Sequence, residues 1–148
     1  MNTLVNPQTP PPRLSRIELR VLVVDDDTFQ LDLMAEMLRC MGITNITQAN
    51  SGEQALTVLD SQQQCFDLLL LDLYMPSMDG FELMELITQG NYCGALIIVS
   101  GESIFAMHAA TEVAQLRQFS LLGSLQKPFC RDALSTLISK LAYPCTHP

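Results

Sequence analysis

Two apolar runs, LLLL at residues 68–71 and LIIV at residues 96–99, constrain the fold more than any other feature of the chain. A strand with one wet face alternates apolar and polar residues, whereas a strand covered on both faces is apolar at successive positions. Such strands belong to a parallel sheet with helices on either side. The rest of the chain keeps the same rhythm. LRVLVV, ITQA, FDLLLL, ALIIVS and LLGSL read as strands. Between and after them, helical periodicity runs from about Thr28 to Met41, then from Ser51, after Asp79, after Ser103, and through Arg131 to Leu141. Strict alternation of five strands with five helices predicts a doubly wound five-stranded parallel sheet of the α/β class. Leu33, Met34, Met37, Leu38 and Met41 form one expected core stripe, and Leu134, Leu137, Ile138 and Leu141 another. The methionines in the first stripe are expected to fill core gaps rather than hold a cofactor.

At 148 residues, 48% of them hydrophobic, the chain suits one domain with a sizeable core. Pro7, Pro10, Pro11 and Pro12 mark residues 1–16 as a disordered tail, with the domain spanning 17–143 and residues 144–148 as a tail or the start of a linker. A formal charge of -8 argues against direct binding to nucleic acid or to anionic membranes. Five cysteines without CxxC spacing, joined only by His108 and His147 as soft ligands, suggest reduced thiols rather than a disulfide frame or a zinc site. With no basic apolar leader and no long apolar run, a cytoplasmic protein without membrane segments is expected.

In such a sheet the functional crevice lies at the carboxyl ends of the strands, near the point where strand order reverses. The first run ends in Asp25, Asp26 and Asp27, the third in Asp72 and the fourth in Ser100, while Lys127 and Pro128 follow the fifth. Each has an ordinary explanation by itself. Asp26 or Asp27 could cap the first helix, Asp72 and Ser100 could open turns, and Lys127 could be solvated. Their common position is the argument for a site: carboxylates gathered on one edge repel unless a cation sits among them, and hard oxygen ligands suit Mg²⁺. Pro76 and Gly80 would shape the loop that presents Asp72. A strand-end carboxylate beside a divalent ion and a lysine is equipped for phosphoryl transfer, with Ser100 able to donate a hydrogen bond to the new phosphate.

VLVVDDD, LLLLDLYMPSMDG, IIVSGE and LQKPF resemble the signature segments of the receiver domain of two-component response regulators, over nearly everything from Arg20 to Leu141. The resemblance implies a flavodoxin-like fold and a signalling switch, not an enzyme beyond its own phosphorylation and dephosphorylation. It makes Asp72 the phosphoacceptor for a sensor histidine kinase, a phosphotransfer protein or a small phosphodonor. Asp26 and Asp72, with the backbone carbonyl of Tyr74, would ligate Mg²⁺, and Asp25 would act mainly through a bound water. Lys127 would pair with the phosphoryl oxygens and Ser100 would swing in to sense them. The output domain or partner protein is expected on the face of the fourth helix, fifth strand and fifth helix, where Met107, His108 and Phe119 are candidate contacts, and homodimer formation would accompany phosphorylation.

Two other functions fit some of these residues. A haloacid-dehalogenase-type phosphatase also uses a strand-end Asp, Mg²⁺, a hydroxyl and a lysine, but its expected hydroxyl position after the first strand is Phe29 here. A degenerate receiver would signal by protein contact without phosphate. Two departures from the common receiver pattern also stand out. Ser124 occupies the usual position of an aromatic switch, leaving neighbours such as Phe105 or Phe119, or a partner, to fill the space. The segment from Ser100 to Lys127 is long, and with SGE and LGSLQKPF it resembles receivers that precede EAL-type cyclic-di-GMP phosphodiesterase domains.

Overall fold

A computed structural model describes residues 16–61, 65–90 and 92–141; most of the proline-rich start and all of the terminal PCTHP lie outside the described residues. After a 3-10 turn at Arg16–Glu18, the elements are β1 (Arg20–Val24), α1 (Thr28–Cys40), β2 (Asn45–Ala49), α2 (Gly52–Asp60) and β3 (Leu68–Asp72). They continue as α3 (Gly80–Ile87), β4 (Ala95–Ser100), α4 (Ile104–Leu116), β5 (Ser120–Gln126) and α5 (Arg131–Ile138). The five strands form one sheet in the order β2-β1-β3-β4-β5, with every neighbouring pair parallel. This is the predicted doubly wound α/β architecture, with its order reversing between β1 and β3.

Both sheet faces are covered, which is why the central strands are apolar at every position. Leu22, Val24, Leu69, Leu71, Leu96 and Ile98 pack in a cluster with residues of α2, α3 and α4. The intervening residues Val21, Val23, Leu68, Leu70, Ile97 and Val99 pack on the other face with α1 and α5. The edge strands β2 and β5 carry more polar residues because they are only partly covered.

Three details differ from expectation. The buried face of α1 is Leu31, Met34, Ala35 and Leu38, and Leu33 is 40% exposed. The small Ala35 lets the helix sit close to the sheet and rotates the buried face away from the predicted stripe. α5 ends at Ile138, three residues before Leu141. In β5, Leu121 pairs with Leu96 and Gly123 with Ile97, so Leu122 is an extra residue in a bulge. Gly123 makes the bulge practicable: its φ is +156°, and a Cβ there would lie 2.7 Å from Leu137 Cδ2.

The helix starts explain several polar residues at the carboxyl edge of the sheet. Asp27, Ser51, Asp79 and Ser103 are N-caps, accepting hydrogen bonds from the N–H groups of Phe29, Gln54, Glu82 and Ala106. Asp27 is thereby the helix cap that its position allowed. Among the described residues, no helix is long and apolar enough to cross a membrane.

Candidate functional site

The strand ends bring Asp25, Asp72, Ser100 and Lys127 to one edge. Asp25 follows β1, and its N–H prolongs the ladder by donating to the Ala49 carbonyl at 3.1 Å. Its carboxylate is fully buried: Oδ1 accepts from the Asp27 N–H at 2.9 Å, and Oδ2 accepts from Lys127 Nζ at 2.6 Å. Asp72, the last residue of β3, is 4% exposed. Its Oδ1 accepts a longer bond from the same ammonium at 3.4 Å. Lys127 is anchored in turn by its own N–H, which donates to the Ser100 carbonyl at 2.8 Å. Its peptide bond to Pro128 is cis.

One carboxylate oxygen each of Asp25, Asp26 and Asp72 lie within 4.8 Å of one another. Asp26 is exposed and gives the cluster an open side, whereas the other two acids are buried. Three carboxylates against one ammonium leave the cluster net negative. Burial raises Asp72 from 3.8 to about 6, with the Asp25 charge pushing the same way and Lys127 opposing both. For Lys127, burial favours the neutral amine, but its hydrogen bond to Asp25 and the charges of Asp72 and Asp25 outweigh that effect and hold it above the ordinary lysine value. A hard divalent cation among these oxygens fits the donor set.

Ser100 is fully buried at the end of β4, and its Oγ accepts from the Glu102 N–H at 3.0 Å. The hydroxyl therefore also stabilises the turn after β4. Tyr74, two residues beyond β3, has a side chain 44% exposed. The loop between Asp72 and α3 is tight because of Gly80: its N–H donates to the Leu73 carbonyl at 2.8 Å. A Cβ there would lie 2.8 Å from both the Asp72 carbonyl oxygen and Leu73 Cα. Gly80→Ala must therefore displace backbone at the end of β3 and is expected to cost about 1–3 kcal/mol. Gly52→Ala, whose Cβ would meet the flexible Met78 side chain with Sδ at 2.7 Å, should cost less. Urea unfolding midpoints check the order, and equal midpoints would show that the loop yields freely.

The sequence treated Asp67 as one member of an apolar run, but it is a second buried acid on the same chain segment. Its Oδ2 accepts from the Arg20 N–H at 2.9 Å and from Arg20 Nε at 3.3 Å. This pair ties β1 to β3 at the end opposite the acid cluster. The signal was available: an acid inside an apolar run needs a partner wherever it lies in the strand. On the expected partner face, Met107 is buried in the core and is not a surface contact, His108 is exposed, and Phe119 is partly buried against the core.

The chain is 43% identical over 67 residues to the two-component response regulator ARR2 of Arabidopsis thaliana, covering 45% of this chain and 10% of that protein. It is 28% identical over 128 residues to the positive alginate biosynthesis regulatory protein of Pseudomonas aeruginosa, covering 85% of this chain and 48% of the relative. The match thus spans less than half the length of either relative. A response regulator receiver domain protein from Clostridium thermocellum has the same fold, with a TM-score of 0.71 and 22% identity over 83% of this chain and 93% of that one. The family model described as "response regulator receiver domain" matches residues 21–139, the whole span from β1 into the end of α5, and the protein belongs to that family.

Proposed function

We propose that the protein accepts a phosphoryl group on Asp72 from a sensor histidine kinase, a phosphotransfer protein or a small phosphodonor, and switches conformation to control an output. The observation that carries this reading is the placement of Lys127 Nζ 2.6 Å from Asp25 and 3.4 Å from Asp72, within a cluster of three acids at one sheet edge. Asp25, Asp26 and Asp72, with the Tyr74 carbonyl, would hold Mg²⁺. When bound, the ion supplies positive charge that offsets the carboxylates and the equatorial oxygens of the transferring group.

The protein's own part is positioning. An Asp72 oxygen attacks phosphorus, the bond to the donor breaks, and the donor leaves with the bonding electron pair: as acetate from acetyl phosphate, or, with a proton taken from solvent, as imidazole from a phosphohistidine. The raised pKa of Asp72 makes its carboxylate more basic than an exposed one, while neutral pH still leaves it mostly ionised. Lys127 pairs with a phosphoryl oxygen from its place between the acids. Ser100 exchanges its Glu102 N–H partner for a phosphate oxygen, to which its hydroxyl donates, and this moves the turn into α4.

The α4, β5 and α5 face would receive the partner or form a homodimer. Support comes from α4, which presents Phe105 at 83% and Leu116 at 81% exposure. An EAL-type cyclic-di-GMP phosphodiesterase output rests on SGE, LGSLQKPF and the long Ser100 to Lys127 segment. The exposed Phe29 at the head of α1 stands where a haloacid-dehalogenase-type phosphatase would need a hydroxyl, and this favours the receiver reaction.

Acetyl phosphate with Mg²⁺ should place one hydroxylamine-sensitive phosphoryl group on Asp72, as mapped by mass spectrometry. EDTA or Asp72→Asn should abolish it. Label on Asp25 would indicate the phosphatase, and no label on the parent would indicate a degenerate receiver.

A further inference from the structure

The turn between β4 and α4 is fastened on both sides of one residue, Glu102. Its N–H donates to Ser100 Oγ at 3.0 Å, and its carbonyl accepts from the side-chain amide of Gln126, Nε2, at 3.3 Å. A further bond, from the Lys127 N–H to the Ser100 carbonyl at 2.8 Å, joins backbone to backbone and does not depend on where the Ser100 side chain points. Glu102 directly precedes Ser103, the N-cap of α4. A shift of Glu102 is therefore passed to the head of that helix and to its exposed Phe105.

The alternation of β5 aims Gln126 at this turn. Leu125 is buried in the cluster on the α1 and α5 side of the sheet, so Ser124 and Gln126 point to the other side, where α4 lies. The amide of Gln126 extends two carbons further from the backbone than the hydroxyl of Ser124, and it reaches Glu102. A carbonyl accepts only donors, so the amide presents its NH₂ group here. The bond is exposed and its net worth is small. A small contribution matters most to a step that breaks this bond and few others.

We propose that Gln126 is a positioning residue for the phosphoryl switch: its amide holds the Glu102 carbonyl in the resting turn, and closure of Ser100 on the phosphate breaks that bond. The proposal rests on the reading of Asp72 as phosphoacceptor and Ser100 as sensor. When the Ser100 hydroxyl turns to the phosphoryl group it releases the Glu102 N–H, and the turn is free to move on that side. Gln126 still holds the carbonyl of the same residue and opposes the movement. It acts on the conformational step alone, because a neutral amide on the Glu102 backbone brings no charge to the acid cluster. Removing the donor destabilises the resting turn and leaves the closed one as it was, which shifts the balance towards closure.

The test compares the full 148-residue chain with Gln126→Met, which keeps the length of the side chain and removes its donor. Beryllofluoride with Mg²⁺ serves as the phosphoryl mimic. In NMR titrations the variant is expected to bind the mimic about threefold more tightly, the effect of losing one weak neutral hydrogen bond from the resting state only. Mg²⁺ alone, which does not call on Ser100, should bind parent and variant equally, and the melting midpoints should agree within about 2 °C. In the parent, the side-chain amide resonances of Gln126, identified by their loss in the variant, should move towards those of a free glutamine when the mimic is added. Equal or weaker binding of the mimic by the variant, a changed Mg²⁺ affinity, or unmoved amide resonances would overturn the role of Gln126. Those results leave the reading of Asp72 standing, because the parent still binds the mimic. No binding by the parent would overturn both.

Discussion

Lys127→Ala is expected to lose about 2–4 kcal/mol of stability at neutral pH in metal-free buffer, because the substitution leaves two buried carboxylates without their ammonium. Lys127 donates to both Asp25 and Asp72, and its own side chain is only 18% exposed, so solvent cannot fully replace it. The sign with pH follows from its raised pKa. The lysine contributes in full below its ordinary unfolded value and loses that contribution only as pH rises through the folded one. At neutral pH the whole contribution is present and is removed by the mutation. Below 3.8 the Asp72 carboxyl is protonated in both the folded and the unfolded state, and the deficit should shrink. Mg²⁺ should recover part of it by supplying positive charge to the same oxygens. Urea unfolding at neutral pH with EDTA, with Mg²⁺, and under acid conditions checks each step. A midpoint equal to the parent's in EDTA would show that the ammonium does not offset the acids. The same variant should respond weakly to beryllofluoride, since the phosphoryl mimic loses its lysine partner; a full response would remove Lys127 from the proposed switch.

The sequence exposed these residues because the fold places function at strand ends. Asp72 and Ser100 were legible as the polar residues that terminate apolar runs, and Lys127 as the cation following the fifth run. Side-chain partnership was less legible. Nothing in the spacing says that Lys127 lies nearer Asp25 than Asp72, since that depends on how β5 continues its pairing with Ser100 beyond the strand end. Periodicity located α1 but misjudged its face, because a hydrophobic count ranks Leu33 above Ala35 whereas close packing against a sheet favours the smaller residue. The bulge at Leu122 was hidden because LLGSL reads equally well in either register. Ser124 is exposed, and so is Phe105, which therefore does not fill the space left by the absent aromatic ring. Phe119 packs against the core beneath α4.

Asp72→Asn is expected to be more stable than the parent at neutral pH without metal, although it removes the proposed phosphoacceptor. Burial and the neighbouring Asp25 charge raise Asp72 from 3.8 to about 6 against the opposing pull of Lys127. Between those two values the folded protein holds more protons than the unfolded chain. The parent therefore loses stability as pH rises from 3.8 to about 6 and carries the full deficit above that window. The gap from 3.8 to about 6, already net of the opposing pull of Lys127, corresponds to about 3 kcal/mol at about 1.4 kcal/mol per pH unit. Below 3.8 the Asp72 carboxyl is neutral in both states and the advantage of Asn should vanish. Mg²⁺ should narrow the gap at neutral pH, since the parent offers the cation one more carboxylate. Thermal melts of both proteins at acid and neutral pH, with EDTA and with Mg²⁺, provide the check. A parent at least as stable as Asp72→Asn in neutral EDTA, or an advantage that persists unchanged in acid, would mean that Asp72 is not destabilised by its surroundings. The expected pattern gives a physical reason for a ready nucleophile: the burial that costs the resting fold stability also keeps the Asp72 carboxylate basic, and binding a cation or transferring charge to a phosphoryl group relieves the repulsion.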